Sequence, residues 1–431
     1  MSIIIGIRAE ELDTRAPLTP KYVKRIVESG TSVYVQPSQK RCFPDEEYQK
    51  AGAYLQTDLS NVDIVFSVKE IPCSKILPGK IHCFFSHTIK GQKNNMTMLR
   101  TIMEKQATLI DYEKITDSSG KRLIAFGKFA GYAGMIDALW IYGQRMQTLG
   151  CETPFSQVQQ ANKYQNLEQA KTAISDLGKT IKEHGLPFPI VCGFTGSGRV
   201  AQGAKEIYSL LPVRTIMAKD LSKISENVSH HCVYQVSFSL ENIFTNSQNT
   251  FSREEYIKHP QQYHSIFAEY IPYLSIVVNG LYWAPKYPHL LTILDLKNLL
   301  TARDNPRFQT LADITCDING SIEFNVESTS SENPCYTYNP FSKKAEYGWK
   351  TIGLPVLAVD KLPGEIPQES SEGFSEELYG LFSDLRNISY AGNLASSGLS
   401  ATWHNATIVY KGELTENYQY LQKHLEGSLN E

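Results

Sequence analysis

A lysine and a histidine follow two short apolar runs of the chain. The run IVFSV ends directly before Lys69, and the run IHCFF is separated from His87 by one serine. A desolvated lysine can act as a base, and histidine exchanges protons near neutral pH. If both runs are parallel strands, their carboxyl ends meet at one edge of a sheet, where ligands bind. The two side chains are therefore a candidate acid–base pair.

Further ionisable residues follow other apolar runs and are expected at the same edge. They are Arg8, Arg15, Glu70, Asp111, Glu113 and Arg122. Arginines bind carboxylates in a bidentate geometry, so this set indicates a site for an anionic substrate. The alternative is that these residues are solvated or form ordinary ion pairs.

A glycine-rich turn lies between an apolar run and an amphipathic stretch in IVCGFTGSGRVAQGAKEIY. Gly196 permits a tight turn, Gly198 permits close approach of the backbone to a pyrophosphate, and Ala201 lets helix and strand pack closely. The amino end of the following helix supplies free N–H groups for phosphate. The pattern predicts a dinucleotide site, and the alternative is a tight turn without a ligand.

The choice between NAD and NADP depends on an acid that grips the ribose about 20 residues further on. The next predicted strand, VRTIMA, ends at Met217-Ala218-Lys219, and Asp220 comes later. The missing acid, together with Arg199, Arg214 and Lys219, favours NADP (as NADPH), with NAD as the alternative.

Short apolar runs alternate with amphipathic helices, which is typical of parallel sheets covered on both faces. We predict an α/β protein with two Rossmann-like, doubly wound domains, a cleft between them, and C-terminal helices that return to the first domain. Residues 1–135 plus 366–431 form the substrate or catalytic domain, and residues 136–365 form the dinucleotide-binding domain. Asp317 follows a strand of the second domain and is expected to face the cleft.

Composition excludes several classes of protein. The 431 residues are 42% hydrophobic and 20% charged, as in soluble globular proteins. A net charge of −3 argues against a nucleic-acid partner, and no apolar run is long enough for a membrane span. The eight cysteines contain no CxxC pair, so neither a metal site nor a disulfide framework is expected.

The chain resembles the lysine-ketoglutarate reductase family (saccharopine dehydrogenase, L-lysine-forming), within the alanine dehydrogenase/transhydrogenase-like superfamily. It is most similar to the reductase half of bifunctional α-aminoadipic semialdehyde synthases. The resemblance spans nearly the whole chain and is carried by the stretches RAEELDTRAPLTP, VKEIP, FFSHTIKGQ, LIDYE, KRLIAFGKFAGYAGMIDAL, FTGSGRVAQGA, VNGLYW, CDINGSIEF and VDKLPGEIPQESS.

The resemblance implies that L-lysine condenses with 2-oxoglutarate and that NAD(P)H reduces the imine to saccharopine. Lys69 matches the family's base and His87 its acid. The residues that match substrate contacts are Arg15, Glu70, Glu113, Arg122, Phe126 and Asp317. Cofactor contacts are expected at Gly196, Ser197, Gly198, Arg199, Val200, Ala201, Asn279 and Asp317. A separate saccharopine-cleaving dehydrogenase is an expected partner, and the oligomeric state stays open.

Two departures from the family pattern affect these expectations. Ser197 and Arg199 replace a threonine and an asparagine of the plant and animal glycine loop. The chain also ends after YQYLQKHLEG, which indicates a monofunctional enzyme or an excised domain. The start MSIIIGIR predicts a first strand rather than a leader, so we expect a cytoplasmic protein, or a mitochondrial matrix protein if a leader was removed. The alternatives are another amino-acid dehydrogenase of the alanine dehydrogenase type and a non-catalytic nucleotide- or lysine-sensing module.

Overall fold

The chain divides into two units. The computed structural model describes residues 3–224, 228–302, 307–385, 388 and 392–427. The first unit comprises Met1–Phe126 and Pro367–Glu431, and the second comprises Gly127–Ile366. The sequence placed the boundaries after residues 135 and 365. The first of these falls inside a continuous helix, Gly127–Thr148, because its small-residue start belongs to the helix itself.

The first segment of the chain alternates strands and helices, as predicted. Its strands are β1 (Ile4–Ile7), β2 (Ser32–Val35), β3 (Tyr54–Leu55), β4 (Ile64–Phe66), β5 (Ile81–Phe84) and β6 (Thr108–Asp111). Its helices are α1 (Pro20–Glu28), α2 (Asp45–Lys50) and α3 (Lys93–Glu104). Helix α1 begins with a proline, whose missing N–H costs nothing at this position, and buries Tyr22, Val23 and Ile26.

The second unit begins with the long helix and then repeats the alternation. Its helices are α4 (Gly127–Thr148), α5 (Leu167–His184), α6 (Arg199–Tyr208), α7 (Leu240–Ile243), α8 (Arg253–Lys258) and α9 (Ile293–Ala302). Its strands are β7 (Val191–Thr195), β8 (Val213–Ile216), β9 (Val233–Phe238), β10 (Phe244–Asn246), β11 (Tyr263–Ser265), β12 (Ile276–Asn279), β13 (Thr310–Asp313), β14 (Cys335–Asn339), β15 (Lys344–Tyr347) and β16 (Leu354–Leu357).

The last segment returns to the first unit and is mainly helical, with two strands. It contains α10 (Pro367–Gly380), α11 (Phe382–Leu385), α12 (Ala401–Ala406), β17 (Thr407–Tyr410), β18 (Glu413–Leu414) and α13 (Gln422–Gly427). The prediction of a mainly helical tail is confirmed, but it missed β17 and β18, which extend the sheet of the first unit. Strands of four and two residues give too short a periodic signal to be recognised.

The strand order in the first unit brings the predicted rim residues to one edge. The order is β18-β17-β6-β5-β4-β1-β2-β3, with β17 antiparallel to β6 and β18, and with the pairs from β6 to β3 parallel. Because β1, β4, β5 and β6 are parallel neighbours, their carboxyl ends lie side by side. Residues that follow these four strands can therefore form one site.

The sheet of the second unit has a strand order that the sequence did not reveal. The order is β15-β14-β16-β13-β12-β7-β9-β8, with β14 antiparallel to β15 and β16 and the other pairs parallel. Strands β10 and β11 form a separate antiparallel pair. The α/β prediction with two Rossmann-like, mainly parallel sheets is confirmed, and the antiparallel strands at the edges were not predicted.

The cores follow from strand periodicity. In β7, Cys192 and Phe194 pack into one hydrophobic cluster of the second unit, and Val191 packs into another on the opposite face. Both faces are apolar because helices cover them, which is why the run shows no polar alternation. Within the described residues, no helix is both long enough and apolar enough to span a membrane.

Candidate active site

Lys69 lies three residues beyond β4, in a loop that continues beside the end of β5. The backbone N–H of Ser67 donates to the carbonyl of Cys83 (3.0 Å), and that of Phe85 donates to the carbonyl of Val68 (3.2 Å). Lys69 is half-buried. Its charge lowers the pKa of Glu70 and opposes protonation of His87, so the three groups share one electrostatic environment.

The side chains of Glu70 and His87 form a direct hydrogen bond through Nδ1 of the histidine and Oε1 of the glutamate. Each side chain is 38% exposed. This hydrogen bond is the main reason that the pKa of His87 is raised, although burial acts in the opposite direction. Because Nδ1 is engaged, Nε2 is the ring atom left to exchange a proton with a substrate.

The backbone of His87 has a left-handed conformation, with φ of +50°. Residues other than glycine adopt this region infrequently, and such positions cluster at functional sites. The surrounding structure holds it in place, because Nδ2 of Asn95 donates to the carbonyl of His87 (2.9 Å). On the preceding side, the N–H of Ser86 donates to Oδ2 of Asp111 (3.1 Å).

Asp111 ends β6 and joins the loops that carry His87 and Glu113. Its side chain is fully buried, accepts from the hydroxyl of Ser86, and accepts from the N–H of Glu113 (2.7 Å). Burial raises the pKa of Asp111 to about 6, against the effect of these hydrogen bonds. The structure therefore assigns Asp111 to positioning the adjacent loops.

Glu113 and Arg122, both predicted to contact substrate, form an ion pair with each other. The arginine side chain is 47% exposed, whereas the glutamate is largely covered, at 16%. A substrate carboxylate could compete with Glu113 for this guanidinium.

Arg15 and Phe126 are also together. The Cζ atom of Arg15 lies 4.2 Å from the centre of the Phe126 ring, which stacks on Phe374. Nε and Nη2 of Arg15 donate to Asp13 at 2.9 and 2.6 Å, and both side chains are 4% exposed. Burial alone would raise the pKa of Asp13, but the hydrogen bonds and charge of Arg15 hold it below its usual value.

Sequence reasoning missed Glu10 and Asp13, two acids in the same loop as Arg15. Glu10 is buried, and its Oε1 accepts from the N–H of Val68, directly before Lys69 (2.7 Å). Burial raises the pKa of Glu10 to about 7, partly offset by Arg8. The signal was present in the stretch RAEELDTR, in which three acids lie between the two arginines.

The glycine loop has the geometry that a pyrophosphate cradle needs. Gly196 has φ of +82°, and a Cβ there would lie 2.4 Å from the carbonyl oxygen of Gly280. A Cβ at Gly198 would meet nothing within 4 Å, so this residue leaves open space. Gly198 also precedes α6, whose first N–H groups are available to an anion. These features fit a dinucleotide.

A pocket of about 580 Å³ opens beside this loop, within the second unit. Its lining comprises Gly196, Ser197, Gly198, Phe238, Ser239, Leu240, Glu241, Phe251, Arg253, Gly280, Leu281 and Tyr282. Of the predicted cofactor contacts, the first three residues line this pocket. Arg199, Val200 and Ala201 form the first turn of α6, where Ala201 is buried.

The reasoning about the ribose acid used the wrong strand. Strand β8, which ends before Met217, lies at the sheet edge and pairs with β9, whereas β9 pairs with β7 along five residues. The residues at the carboxyl end of the strand beside the glycine loop are therefore Ser239, Leu240 and Glu241, all in the pocket. Periodicity predicts strands but not their order, which depends on long-range pairing.

Asn279 lies at the end of β12 in a buried hydrogen-bond network. Its Oδ1 accepts from the hydroxyl of Thr195 (2.7 Å), and its Nδ2 donates to Asp313 (2.8 Å) and Ser321 (2.7 Å). Asn279 is fully buried, so its side chain supports the strand ends beneath the glycine loop. Direct contact with a cofactor stays a prediction.

Asp317 follows β13 in a turn in which the N–H of Gly320 donates to its carbonyl (2.9 Å). It is half-buried, and its charge adds to the burial that raises the pKa of Asp313. The structure thus places Asp317 close to the same network.

The comparisons with known proteins concern the family and the fold. Residues 6–133 match the family described as alanine dehydrogenase/PNT, N-terminal domain. Two solved structures are similar over nearly the whole chain. An L-alanine dehydrogenase has a TM-score of 0.63 and 15% sequence identity, and the match covers 99% of this chain and 100% of that one. A transhydrogenase from Sinorhizobium meliloti has a TM-score of 0.60 and 15% sequence identity, and the match covers 96% of this chain and 100% of that one. At these identities the likeness shows the fold.

Curated relatives are more similar in sequence. The mitochondrial α-aminoadipic semialdehyde synthase of Bos taurus is 35% identical over 97% of this chain and 48% of its own length. The Arabidopsis thaliana enzyme of that name is 36% identical over 97% of this chain and 41% of its own. A saccharopine dehydrogenase [NAD(+), L-lysine-forming] of Emericella nidulans is 26% identical, over 87% and 90%.

The chain spans about half the length of the cow and Arabidopsis relatives. The predicted resemblance to α-aminoadipic semialdehyde synthases is confirmed along nearly the whole chain, and residues 6–133 are similar to the alanine dehydrogenase/PNT N-terminal domain.

Proposed function

We propose that the protein is a lysine-ketoglutarate reductase that condenses L-lysine with 2-oxoglutarate and reduces the imine to saccharopine. The observation that carries the proposal is the Glu70–His87 hydrogen bond beside Lys69. The similarity of 97% of this chain to 48% of the Bos taurus α-aminoadipic semialdehyde synthase supports the choice of substrates.

The proposed acid and base roles are assigned from the chemistry of the two side chains. Lys69, in its neutral form, takes a proton from the ε-ammonium of lysine, and the resulting amine bonds to the keto carbon of 2-oxoglutarate. A second proton of that nitrogen passes to the former carbonyl oxygen and makes it a hydroxyl. His87 gives its Nε2 proton to this hydroxyl, which leaves as water, and the nitrogen lone pair forms the C=N bond of the protonated imine. Glu70 raises the pKa of His87 and thereby maintains its acid form nearer to neutral pH.

The arginines supply the charge that a substrate with several carboxylates requires. Arg15 and Arg122 are each paired with an acid in the first unit, Asp13 and Glu113. Substrate carboxylates share or take over these contacts, and the Phe126 ring supports the face of the Arg15 guanidinium.

The cofactor in this proposal is NADPH, with NADH as the alternative. When bound, it supplies the hydride that reduces the imine carbon. Gly196 and Gly198 hold the pyrophosphate. In an NAD enzyme, an acid that binds the ribose is expected directly after the strand beside the glycine loop; here that residue, directly after β9, is Ser239. Asp317 is proposed to lie near the nicotinamide.

A matrix of substrates and cofactors tests the proposal. NADPH and NADH are each combined with lysine, ornithine or ammonia in the presence of 2-oxoglutarate, and the product is identified by mass spectrometry. Oxidation that requires lysine and 2-oxoglutarate together, with saccharopine as product, supports the assignment. Turnover of pyruvate with ammonia, but not of lysine, would favour an alanine dehydrogenase type of enzyme. Binding without any turnover would favour a sensing module.

A separate saccharopine-cleaving dehydrogenase is the proposed partner, because such an activity consumes the product. A cytoplasmic location stays a prediction. The Bos taurus relative is mitochondrial, so the mitochondrial matrix is the alternative location. Subcellular fractionation decides between the cytoplasm and the matrix.

A further inference from the structure

We infer that Arg253 selects NADPH by pairing with the 2′-phosphate, and that Glu241 in the same pocket opposes that charge. The inference rests on the proposed dinucleotide site. It replaces the sequence-based expectation that Arg199, Arg214 and Lys219 favour this phosphate: Arg214 lies within β8, Lys219 follows that strand, and none of the three lines the pocket.

The strand order carries the first step. In a Rossmann sheet, the residues at the carboxyl end of the strand beside the glycine-loop strand face the ribose. Strand β7 has two neighbours, β9 and β12. On the side of β7 that also holds β8, to which the chain continues after the glycine loop, the neighbour is β9: its residues 234–238 pair with β7, while β8 lies one strand further out. The ribose therefore meets Ser239 to Glu241 rather than Met217 to Lys219.

The charges in the pocket carry the second step. Of the described residues that line it, Arg253 is positive, Glu241 is negative, and the others are neutral. The hydroxyl of Ser239, which directly precedes α7, lies within hydrogen-bond distance of Oδ1 of Asn242 (2.9 Å) and of Oε1 of Glu241 (3.2 Å), so its single proton serves only one of these acceptors at a time. A guanidinium binds phosphate through two parallel hydrogen bonds, which a ribose hydroxyl cannot match.

The segment that presents Arg253 is well anchored. Arg253 is the first residue of α8, and the Ser252 hydroxyl before it accepts from the N–H of Glu255 (3.4 Å). The N–H of Ser252 donates to the phenol oxygen of Tyr263 (3.1 Å). Phe251, which packs on Tyr263 with ring centroids 5.6 Å apart, supplies an apolar wall to the pocket. An adenine can stack there while the adjacent arginine reaches the 2′ position.

Calorimetric titration with 2′,5′-ADP and 5′-AMP tests the inference without any turnover, because these probes carry only the adenosine half. The variants are Arg253→Gln, Glu241→Gln and, as the matched control, the exposed Arg214→Gln on β8. Circular dichroism of each variant establishes that it is folded.

We expect Arg253→Gln to weaken the binding of 2′,5′-ADP by about tenfold or more, and that of 5′-AMP by less than about twofold. Only 2′,5′-ADP has the 2′-phosphate and so loses a charge-assisted pair. Glu241→Gln should tighten the binding of 2′,5′-ADP, and Arg214→Gln should leave the binding of both ligands unchanged. The inference is overturned if Arg214→Gln produces the loss, if Arg253→Gln changes nothing, or if Glu241→Gln weakens 5′-AMP, which would mark Glu241 as a ribose-binding acid.

These outcomes are distinct from failure of the proposed reaction. Selective binding of 2′,5′-ADP that depends on Arg253, in a protein that forms no saccharopine, supports the inference and contradicts the proposed function. If the protein forms saccharopine but its binding of 2′,5′-ADP does not depend on Arg253, the proposed function is supported and the inference is contradicted.

Discussion

Oε1 of Glu70 is hydrogen-bonded to Nδ1 of His87, a residue that lies 17 positions later and follows a different strand. The contact exists because β4 and β5 are parallel neighbours, paired from Ile64 with Ile81 to Phe66 with Cys83. It orients the imidazole, fixes which nitrogen faces a substrate, and raises the pKa of the ring.

Replacing Glu70 by glutamine removes the carboxylate that stabilises protonated His87. Because the proposed reaction needs the acid form, activity is lost as pH rises through the pKa of His87. In Glu70→Gln this alkaline limb should move to lower pH. The measurement is the pH profile of saccharopine formation at saturating substrates. The exposed Glu46→Gln is the control, and an unshifted profile in Glu70→Gln would contradict the role of Glu70.

Replacing Lys69 by methionine removes the proposed base while keeping a side chain of similar length. We expect kcat to fall by about 10²- to 10⁴-fold, the usual contribution of a general base. Binding of NADPH, followed by its fluorescence, should be unchanged. Lys50→Met, on the exposed face of α2, serves as the matched control. Undiminished turnover in Lys69→Met would remove Lys69 from the mechanism.

Replacing Asp111 by asparagine tests its role in positioning the loop of His87. Only the oxygen of an amide accepts a hydrogen bond, whereas both oxygens of the carboxylate do, so the hydrogen bond from either Ser86 or Glu113 is lost. We expect this loss to lower the free energy of unfolding by roughly 1–3 kcal/mol. We expect kcat to fall more than KM rises. Chemical denaturation and steady-state kinetics measure the two effects. A stable variant with wild-type kcat would show that the loop does not need this carboxylate.

Replacing either of two glycines near the cofactor site by alanine should have a different effect: one replacement should weaken cofactor binding, and the other should lower stability. Gly198→Ala meets no atom within 4 Å, so the protein should keep its stability but bind NADPH more weakly, because the added methyl occupies the space left for the phosphates. Gly203→Ala places a Cβ 2.1 Å from the carbonyl oxygen of Lys128, so it should destabilise the second unit by about 1–3 kcal/mol. Thermal melts and NADPH titrations distinguish them; equal stability of both variants would contradict the packing of α4 on α6.

The carboxyl pair Asp137 and Glu365 should make stability depend on pH. Oδ1 of Asp137 accepts from the N–H of Ala161 (2.8 Å), while Oδ2 and both Glu365 oxygens are buried without a hydrogen-bond partner among the described residues. Burial raises the pKa of both groups, and the charge of Glu365 raises the pKa of Asp137 further. Their contribution to stability is thus complete below the unfolded-state pKa of about 4 and is lost as pH rises through the folded-state pKa.

Glu365→Gln removes one of these buried charges. It should raise Tm by about 2–4 °C at pH 8 and by less at pH 5, because the raised pKa values favour the protonated forms of both carboxyls at the lower pH. Differential scanning calorimetry across this range is the measurement, with the exposed Glu332→Gln as control. A Tm gain that is the same at both pH values would contradict the titration of this pair.

Local patterns in the sequence were sufficient for part of this result. The apolar run IHCFF is a strand because both faces of its sheet are covered, and the glycine spacing of FTGSGRVAQGA demands a tight turn before a helix. Lys69 and His87 could be selected because each follows such a run. These inferences need only neighbours in the chain, whose geometry is set by backbone sterics and burial.

Contacts between distant segments could not be predicted in this way. Strand β9 lies between β7 and β8, so the pocket beside the glycine loop is completed by Glu241 and Arg253, which no motif singled out. Glu10 reaches the backbone before Lys69 only because β1 and β4 are paired. The sequence alone determined which residues have the chemistry for proton transfer and phosphate binding. The tertiary structure decided which charges share a pocket, because strand order and burial arise from pairing between segments far apart in the chain.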